Sequence, residues 1–355
     1  MKILFCGGGT LGPVTPLIAV LRCMRRIRPD VEFAWIGTAN GPEAPFVEAE
    51  GVSFHTIPVA KLARYPSRSW LTFPIDYLKA LRAAKRIIGH ERPDAVFSAG
   101  GFMQVPVMRA AARLGIPCAI HQLDATPILS NKAVARLCAE VTASFAYPGS
   151  KPFGAKIQTK KIATPCRFSG VELPSREEAR ERLGLESERP VLFVTGGGTG
   201  AASLNAAIAS IADSLLSKMQ IVHQTGKGKA IDLKRDGYRQ YETLDEGQML
   251  AAYVAADLVV SRAGFGALSE LAALHKAVVA VPLPNSPQLE NLTKLKGALA
   301  VVEQDDGFGQ HLGQEIIALM EDEDARKVFA EALSHTLRTD DGTELAKLWL
   351  GLLKG

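Results

Sequence analysis

Two glycine-rich stretches carry the first chemical signal in this chain. Gly7-Gly8-Gly9-Thr10-Leu11-Gly12 and Gly196-Gly197-Gly198-Thr199-Gly200 each follow a short apolar run and precede a segment of helical period. A glycine turn between strand and helix presents unpaired backbone N–H groups at the positive end of the helix dipole, which favours a phosphate. A third turn, Ser261-Arg262-Ala263-Gly264-Phe265-Gly266, opens a stretch carrying Ser269 and Glu270 one turn further in. That spacing suits a diphosphate at the helix N-terminus and a ribose on the carboxylate; the plain alternative for Glu270 is a solvated helix charge. Next, Pro282-Leu283-Pro284-Asn285-Ser286-Pro287 leads into Gln288 and Asn291, three apart on one helical face. Their amides suit sugar hydroxyls, although Asn285 could equally be a cap. One diphosphate and one ribose, without a second nucleoside, point to a nucleotide sugar.

Other cofactor classes fit less well. Gly7, Gly9 and Gly12 satisfy GxGxxG, but a dinucleotide site also needs an acidic residue at the end of the next strand. That strand ends Trp35-Ile36-Gly37-Thr38, and its counterpart ends His223-Gln224-Thr225-Gly226, so neither supplies it. No GK[ST] follows either loop, which excludes a P-loop ATPase. Asp322-Glu323-Asp324 has DxD form but reads as solvated charge at a helix boundary, so no metal and no cofactor is expected. The net charge of +4 is too small to imply nucleic acid. The five cysteines are scattered without metal-ligand spacing, as in reduced thiols of a cytosolic protein.

The elements that must hold these loops repeat. Each half starts with a strand, Lys2–Cys6 or Val191–Thr195, then a GGGT turn and a helix, Val14–Arg28 or Ala201–Leu216. Short apolar runs alternate with amphipathic stretches after that, the βαβ pattern of a parallel doubly wound sheet. The first half is expected to add strands at Glu32–Ile36, Phe54–Ile57, Ala95–Ser98, Cys118–His121 and Val141–Ser144, with helices near Pro74–Gly89, Met103–Leu114 and Ile128–Leu137. The second is expected to add strands at Gln220–Gln224, Leu258–Ser261 and Ala277–Val281, with helices near Gly247–Ala255, Ala267–Leu274 and Gln288–Leu299. The fold class is therefore α/β, two tandem Rossmann-like domains with their glycine loops facing an interdomain cleft. The domains are expected at 1–160 and 161–340 across a proline-rich linker, Tyr147–Pro174. The segment 341–355 carries a helix, Glu344–Leu353, that could return to the first domain.

Taken together and in order, the motifs resemble those of the peptidoglycan lipid-intermediate N-acetylglucosaminyltransferase family, MurG, whose fold is GT-B. The resemblance runs over nearly the whole chain. Its motifs are GGGTLG, Gly100-Gly101-Phe102, His121-Gln122-Leu123-Asp124, Thr164-Pro165-Cys166-Arg167, Gly196–Ala201 with Asn205, Gln224–Gly228, Ser261–Gly264 with Ser269-Glu270, and Gln288 with Asn291. The resemblance implies inverting, metal-independent transfer of N-acetylglucosamine from UDP-N-acetylglucosamine to a polyprenyl-diphosphate-linked muramyl-peptide. It implies a donor site of Arg167, Gly198, Thr199, Gly200, Leu244, Arg262, Gly264, Phe265, Gly266, Ala267, Leu268, Ser269, Glu270, Gln288 and Asn291. Arg167 would neutralise the diphosphate, Glu270 take the ribose and Gln288 the sugar, with the uracil against backbone at Leu244–Glu246. The acceptor is expected at Thr10, Leu11 and Gly12 with Gly100, Gly101 and Phe102.

This sequence departs from the family on the acceptor side. Where the family reads GGTGGH, Leu11 replaces a glycine and Pro13 replaces the histidine that is the favoured base or acceptor contact. The family's His-Glu-Gln-Asn is here His121-Gln122-Leu123-Asp124. Asp124 is the candidate base and His121 the second candidate, with an orienting role its alternative. Two other readings stay open: a related GT-B enzyme with another lipid or glycan acceptor, and a UDP-sugar-binding protein without catalysis. A lipid-linked acceptor also implies peripheral attachment to the inner face of the cell membrane. Arg64, Arg68, Trp70, Leu71 and Phe73, with Lys61, Tyr65, Ile75, Tyr77, Lys79 and Arg82 around them, form the candidate surface. No apolar run reaches transmembrane length, and no cleavable leader precedes the first strand.

Overall fold

A computed structural model describes residues 1–58, 69–284, 286 and 288–353, with the side chains of residues 69–71 also outside the description. The chain divides into two compact units, residues 1–167 with 340–355, and residues 168–339. The division falls after Arg167, later than the expected 160, because two short strands of the proline-rich stretch belong to the first unit.

In the first unit the order is β1 (Lys2–Cys6), α1 (Val14–Ile27), β2 (Glu32–Thr38), α2 (Ala44–Glu48), β3 (Ser53–Ile57), α3 (Ser69–Glu91), β4 (Ala95–Ser98), α4 (Gln104–Arg113), β5 (Cys118–Gln122), α5 (Leu129–Val134), β6 (Glu140–Ala143), β7 (Lys160–Lys161) and β8 (Thr164–Pro165). A parallel seven-stranded sheet runs β3-β2-β1-β4-β5-β6-β7. Its central strands are fully buried apolar runs, as a sheet covered on both faces requires. Helix α1 buries Val14, Leu17, Ile18, Leu21 and Met24, the spacing of one helical face, and places Arg25 and Arg26 at its negative C-terminal end. Pro74 lies inside α3 rather than opening it, so the helix starts before the expected residue.

The second unit comprises α6 (Arg176–Arg182), β9 (Val191–Thr195), α7 (Ala202–Leu216), β10 (Gln220–Gln224), β11 (Tyr238–Tyr241), α8 (Glu246–Ala255), β12 (Leu258–Ser261), α9 (Phe265–Ala273), β13 (Val278–Ala280), α10 (Gln288–Lys294), β14 (Ala300–Val301), α11 (Phe308–Glu321) and α12 (Glu323–Thr336). Its six parallel strands run β11-β10-β9-β12-β13-β14. The sequence reading missed α6, β11, β14, α11 and α12. Asp322 is the N-cap of α12, accepting a bond from the Ala325 amide at 2.9 Å, so the DxD stretch is a helix start.

The chain returns to the first unit through β15 (Thr339–Asp340), and α13 (Thr343–Gly351) closes it. Trp349 is fully buried and stacks on Phe97 with centroids 4.5 Å apart. Glu344 accepts a bond from the Ala163 amide at 2.9 Å. Gly342, at φ +91°, comes so close to Val20 that an added Cβ would lie 2.8 Å from its backbone nitrogen.

Candidate active site

Both sheets reverse their strand order at one point, between β1 and β4 in the first unit and between β9 and β12 in the second. Loops leaving the carboxyl ends of strands at such a point flank an open crevice, the usual place for a ligand in these sheets.

In the second unit the loop after β9 carries Gly198, Thr199 and Gly200. Its shape is set from within: Gly197 N–H donates to Thr195 Oγ1 at 3.1 Å and Gly200 N–H to the Gly197 carbonyl at 3.0 Å. Gly200 sits at φ +67°, and a Cβ there would overlap the Thr225 carbonyl, so loop meets loop backbone to backbone. Asn205 secures the partner loop by donating to the carbonyls of Thr225 and Lys229 at 3.0 and 3.1 Å. The Lys229 ammonium donates to the carbonyls of Thr199 and Gly200, bringing positive charge against the same turn.

Next to it, Gly264 is the N-cap of α9, with open space where a side chain would stand. The helix begins at Phe265, earlier than the expected Ala267, so its free end reaches the loop. Gly266 and Ala267 N–H groups have no hydrogen-bond partner among the described residues, and Leu268 N–H closes the first turn onto Gly264. Ser269 donates its hydroxyl to the Gly266 carbonyl at 2.8 Å, within the first turns of the helix. Glu270 is 5 % exposed, and Tyr253, itself fully buried, donates its hydroxyl to Oε2 at 3.1 Å. The carboxylate is thus oriented by a partner that the sequence reading did not single out.

Arg262 donates from Nη2 to Ser203 Oγ at 3.0 Å, while its Nη1 is buried with no hydrogen-bond partner among the described residues. Burial lowers the guanidinium pKa. Gln288 accepts from the Leu283 amide at 2.7 Å through its side-chain carbonyl oxygen, which leaves its NH₂ outside that bond. Asn291 is fully buried, its amide nitrogen 3.5 Å from the Ala263 carbonyl beside the Arg262–Gly264 turn. Leu244 is a core side chain just before the capping box of Asp245 and Gln248, which consumes the Asp245 amide. Arg167, expected among these residues, belongs to the first unit, where its guanidinium lies 5.6 Å from the Phe46 ring centroid.

In the first unit the loop after β1 and the loop after β4 touch. A Cβ on Gly9, at φ +81°, would lie 2.9 Å from the Phe102 ring, and one on Gly101, at φ +97°, would lie 3.4 Å from the Gly8 carbonyl. The acceptor candidates Thr10, Leu11, Gly12, Gly101 and Phe102 therefore lie on two touching loops, while Gly100 is buried against Ile128. Beneath it lies a residue the sequence reading missed. Glu43 is fully buried; Oε1 accepts from the Thr38 amide and hydroxyl, both at 2.6 Å, and Oε2 accepts from Gly9 N–H at 3.1 Å. The acidic residue sought at the end of β2 is thus present, a few residues later, and it binds the chain's own glycine loop.

Asp124 is half-buried in the loop after β5. Gln122 holds that loop, donating to the carbonyls of Asp124 and Thr126 at 2.9 and 3.2 Å and accepting from Asn131 at 2.7 Å. Burial first, then the Asp124 charge, pushes the Tyr147 phenol upward. His121 corrects the expectation made of it. It is a core residue with no exposed surface, its ring nitrogens 2.9 Å from Thr142 Oγ1 and 3.1 Å from Ser144 Oγ. Burial lowers its pKa to about 3, and neither nitrogen faces an acceptor hydroxyl.

Comparison with known proteins decides the family. The glycosyltransferase family 28 N-terminal domain matches residues 3–143, and its C-terminal domain matches residues 191–337. The UDP-N-acetylglucosamine–N-acetylmuramyl-(pentapeptide) pyrophosphoryl-undecaprenol N-acetylglucosamine transferase of Paenarthrobacter aurescens is 36 % identical over 336 residues, 91 % of this chain and 88 % of that one. The chain belongs to the MurG family. The transferase of the same name from Lachnoclostridium phytofermentans is 36 % identical over 287 residues, covering 79 % of this chain and 78 % of its own. Among solved structures, Acinetobacter baumannii MurG matches with a TM-score of 0.69 over 99 % of each chain at 23 % identity, a likeness of fold. Against the MurG pattern, Pro13 stands at the N-cap of α1 and makes no side-chain cap bond.

The membrane candidates Arg64 and Arg68, and the side chains of Trp70 and Leu71, lie outside the described residues. Phe73 is half-buried, its ring 6.0 Å from that of Tyr77. Ile75 and Leu78 on α3 are 58 % and 48 % exposed, with Lys79, Arg82, Lys85 and Arg86 exposed beside them. Among the described residues no helix is long and apolar enough to cross a membrane.

Proposed function

We propose that this chain transfers N-acetylglucosamine, with inversion, from UDP-N-acetylglucosamine to a polyprenyl-diphosphate-linked N-acetylmuramyl-pentapeptide. The observation that carries the reaction is 36 % identity, over 91 % of the chain, to a transferase named for it. The second unit is the donor side. Amides of Gly198 and Thr199 and of the α9 N-terminus meet the diphosphate, with Lys229, Arg262 and Arg167 supplying positive charge. Glu270 takes the ribose and Gln288 the sugar. These groups stabilise the UDP that departs, and they act strongly because donors held in place need no reorganisation as charge develops.

The first unit is the acceptor side, with Thr10–Gly12 and Gly100–Phe102 around the acceptor's diphosphate. Its sugar hydroxyl attacks the anomeric carbon from the face opposite UDP; the new glycosidic bond forms as the bond to the diphosphate oxygen breaks. The hydroxyl proton passes to Asp124, the carboxylate that remains once His121 is recognised as core. UDP release measured with and without the lipid acceptor tests the assignment. Release that depends on that acceptor is the expected result. Release with a different glycolipid alone would transfer the assignment to another acceptor, a reading favoured by Leu11 and Pro13, and binding without turnover would remove the enzyme.

The exposed Ile75 and Leu78, set among basic side chains of α3, support peripheral docking on an anionic leaflet, each surface charge contributing about 1 kcal/mol. Loss of co-sedimentation with anionic vesicles in an Ile75→Asp, Leu78→Asp double variant is expected; undiminished binding would reject the docking face.

A further inference from the structure

We propose that Glu43 is a positioning residue of the acceptor-side loop, steering the acceptor's diphosphate onto the amides of Thr10–Gly12. The inference rests on the reading that this loop receives that diphosphate. Glu43 opens the short helix α2, yet it makes no cap bond there. Its side chain turns back instead and joins the end of β2 to the glycine loop through Thr38 and Gly9.

The surroundings are cut to fit a carboxylate. A Cβ on Gly8 would overlap Glu43 Oε1, one on Gly41 would overlap Oε2, and one on Gly37 would lie 3.2 Å from Cγ. Each oxygen accepts from a backbone N–H, Oε1 from Thr38 and Oε2 from Gly9. An amide cannot replace it, because its NH₂ would face one of those donors whichever way it turned. Glu43 has no cationic partner among the described residues, so these bonds carry its stabilisation.

The amides of the loop can then be counted. Gly7 N–H goes to the Ile36 carbonyl at 3.2 Å and Gly9 N–H to Glu43, while Val14 and Thr15 both donate to the Leu11 carbonyl at 3.0 and 3.1 Å. Pro13 and Pro16 have no N–H. Among the described residues, the amides of Gly8, Thr10, Leu11 and Gly12 have no partner, and Gly8 is the one set directly against the Glu43 carboxylate. With a buried negative charge under the Gly8–Gly9 half, an anion is repelled there and accommodated at the Thr10–Gly12 amides just ahead of α1.

Glu43→Gln, nearly isosteric, tests this. Two readings are taken: amide hydrogen exchange of the peptide spanning residues 7–12, and KM for each substrate. Exchange should quicken, and acceptor KM should rise about 10- to 100-fold, the loss expected for a hydrogen bond to a charged group. KM for UDP-N-acetylglucosamine should stay within about twofold. Gly8→Ala, which displaces the carboxylate without removing it, should reproduce the pattern. Should Glu43→Gln not fold, Thr38→Val removes one donor to Oε1, keeps the backbone bonds, and should shift acceptor KM in the same direction by less. Unchanged acceptor KM, or equal rises for both substrates, would overturn the proposal. If the parent chain does not transfer to the lipid acceptor at all, the function assigned above falls, while the exchange measurement still decides whether Glu43 holds the loop.

Discussion

The two GGGT loops begin alike and are closed by opposite means. In the first, the turn rests on a side chain, the buried Glu43 carboxylate, which takes the Gly9 amide and leaves negative charge below it. In the second, the turn rests on the backbone of the Thr225–Gly226 loop, with the Lys229 ammonium on its carbonyls. The consequence is electrostatic. The second loop joins an α9 N-terminus and two cationic side chains in a field that favours a diphosphate, whereas the first offers the amides of Gly8 and Thr10–Gly12 above a buried carboxylate. On the function proposed above, the duplicated architecture serves donor and acceptor with unequal charge, and a glycine count alone would rate the two loops equal.

The largest effects should separate the two sides kinetically. Asp124→Asn should lower kcat by about 10²–10⁴-fold, the usual contribution of a general base, with donor affinity unchanged. Near-normal turnover would remove Asp124 from the mechanism and return the base to an unidentified group. Glu270→Ala should instead weaken UDP binding in calorimetry by about 10- to 100-fold; unaltered affinity would place the ribose elsewhere.

The closures themselves can be broken next. Gly200→Ala forces a side chain onto a positive-φ residue against the Thr225 carbonyl, and should destabilise the second unit by about 1–3 kcal/mol in chemical denaturation. Gly8→Ala meets only a side chain and should affect stability less than acceptor binding; the reverse ranking would refute the contrast between a backbone closure and a side-chain closure.

A smaller change is expected at the orienting hydroxyl. Tyr253→Phe should raise donor KM by roughly 2- to 10-fold, since the hydroxyl acts on the donor only through the carboxylate that it orients. An effect as large as that of Glu270→Ala would mean that Tyr253 holds more than the carboxylate.

A last effect, confined to acid pH, is shared by both halves. Each buries a histidine that burial keeps neutral, His121 with a pKa of about 3 and His223 with one of about 4. Both lie below the ordinary 6.5, so the unfolded chain binds more protons between those values. Their stabilising contribution is complete above pH 6.5 and is lost as pH falls through that window toward 4 and 3. Melting temperature should drop on acidification over this range, and the slope should shrink in His121→Gln. An unchanged slope would mean that His121 titrates alike in both states.

Much of this was legible in the chain. Apolar runs such as Ile3-Leu4-Phe5-Cys6 and Val191–Thr195, the repeated glycine turns, and Glu270 one turn beyond Gly266 are local patterns, and local patterns survive in a linear text. The C-terminal third was read less fully: Phe308–Glu321 and Glu323–Thr336 form two helices around the capping residue Asp322, which looked like surface charge. His121 looked catalytic because composition cannot report burial. Glu43 went unnoticed because it lies beyond the end of its strand, and its partner Gly9 is a distant residue.

By itself, the sequence determined the alternation of strand and helix, the duplication, and the glycine turns at the head of each half, since these follow from side-chain periodicity and backbone freedom. Tertiary structure alone decided which loop amides stay free, which carboxylate faces inward, and which histidine is core. Those outcomes depend on desolvation and on hydrogen-bond geometry between residues far apart in the chain, and neither quantity exists until the strands are paired.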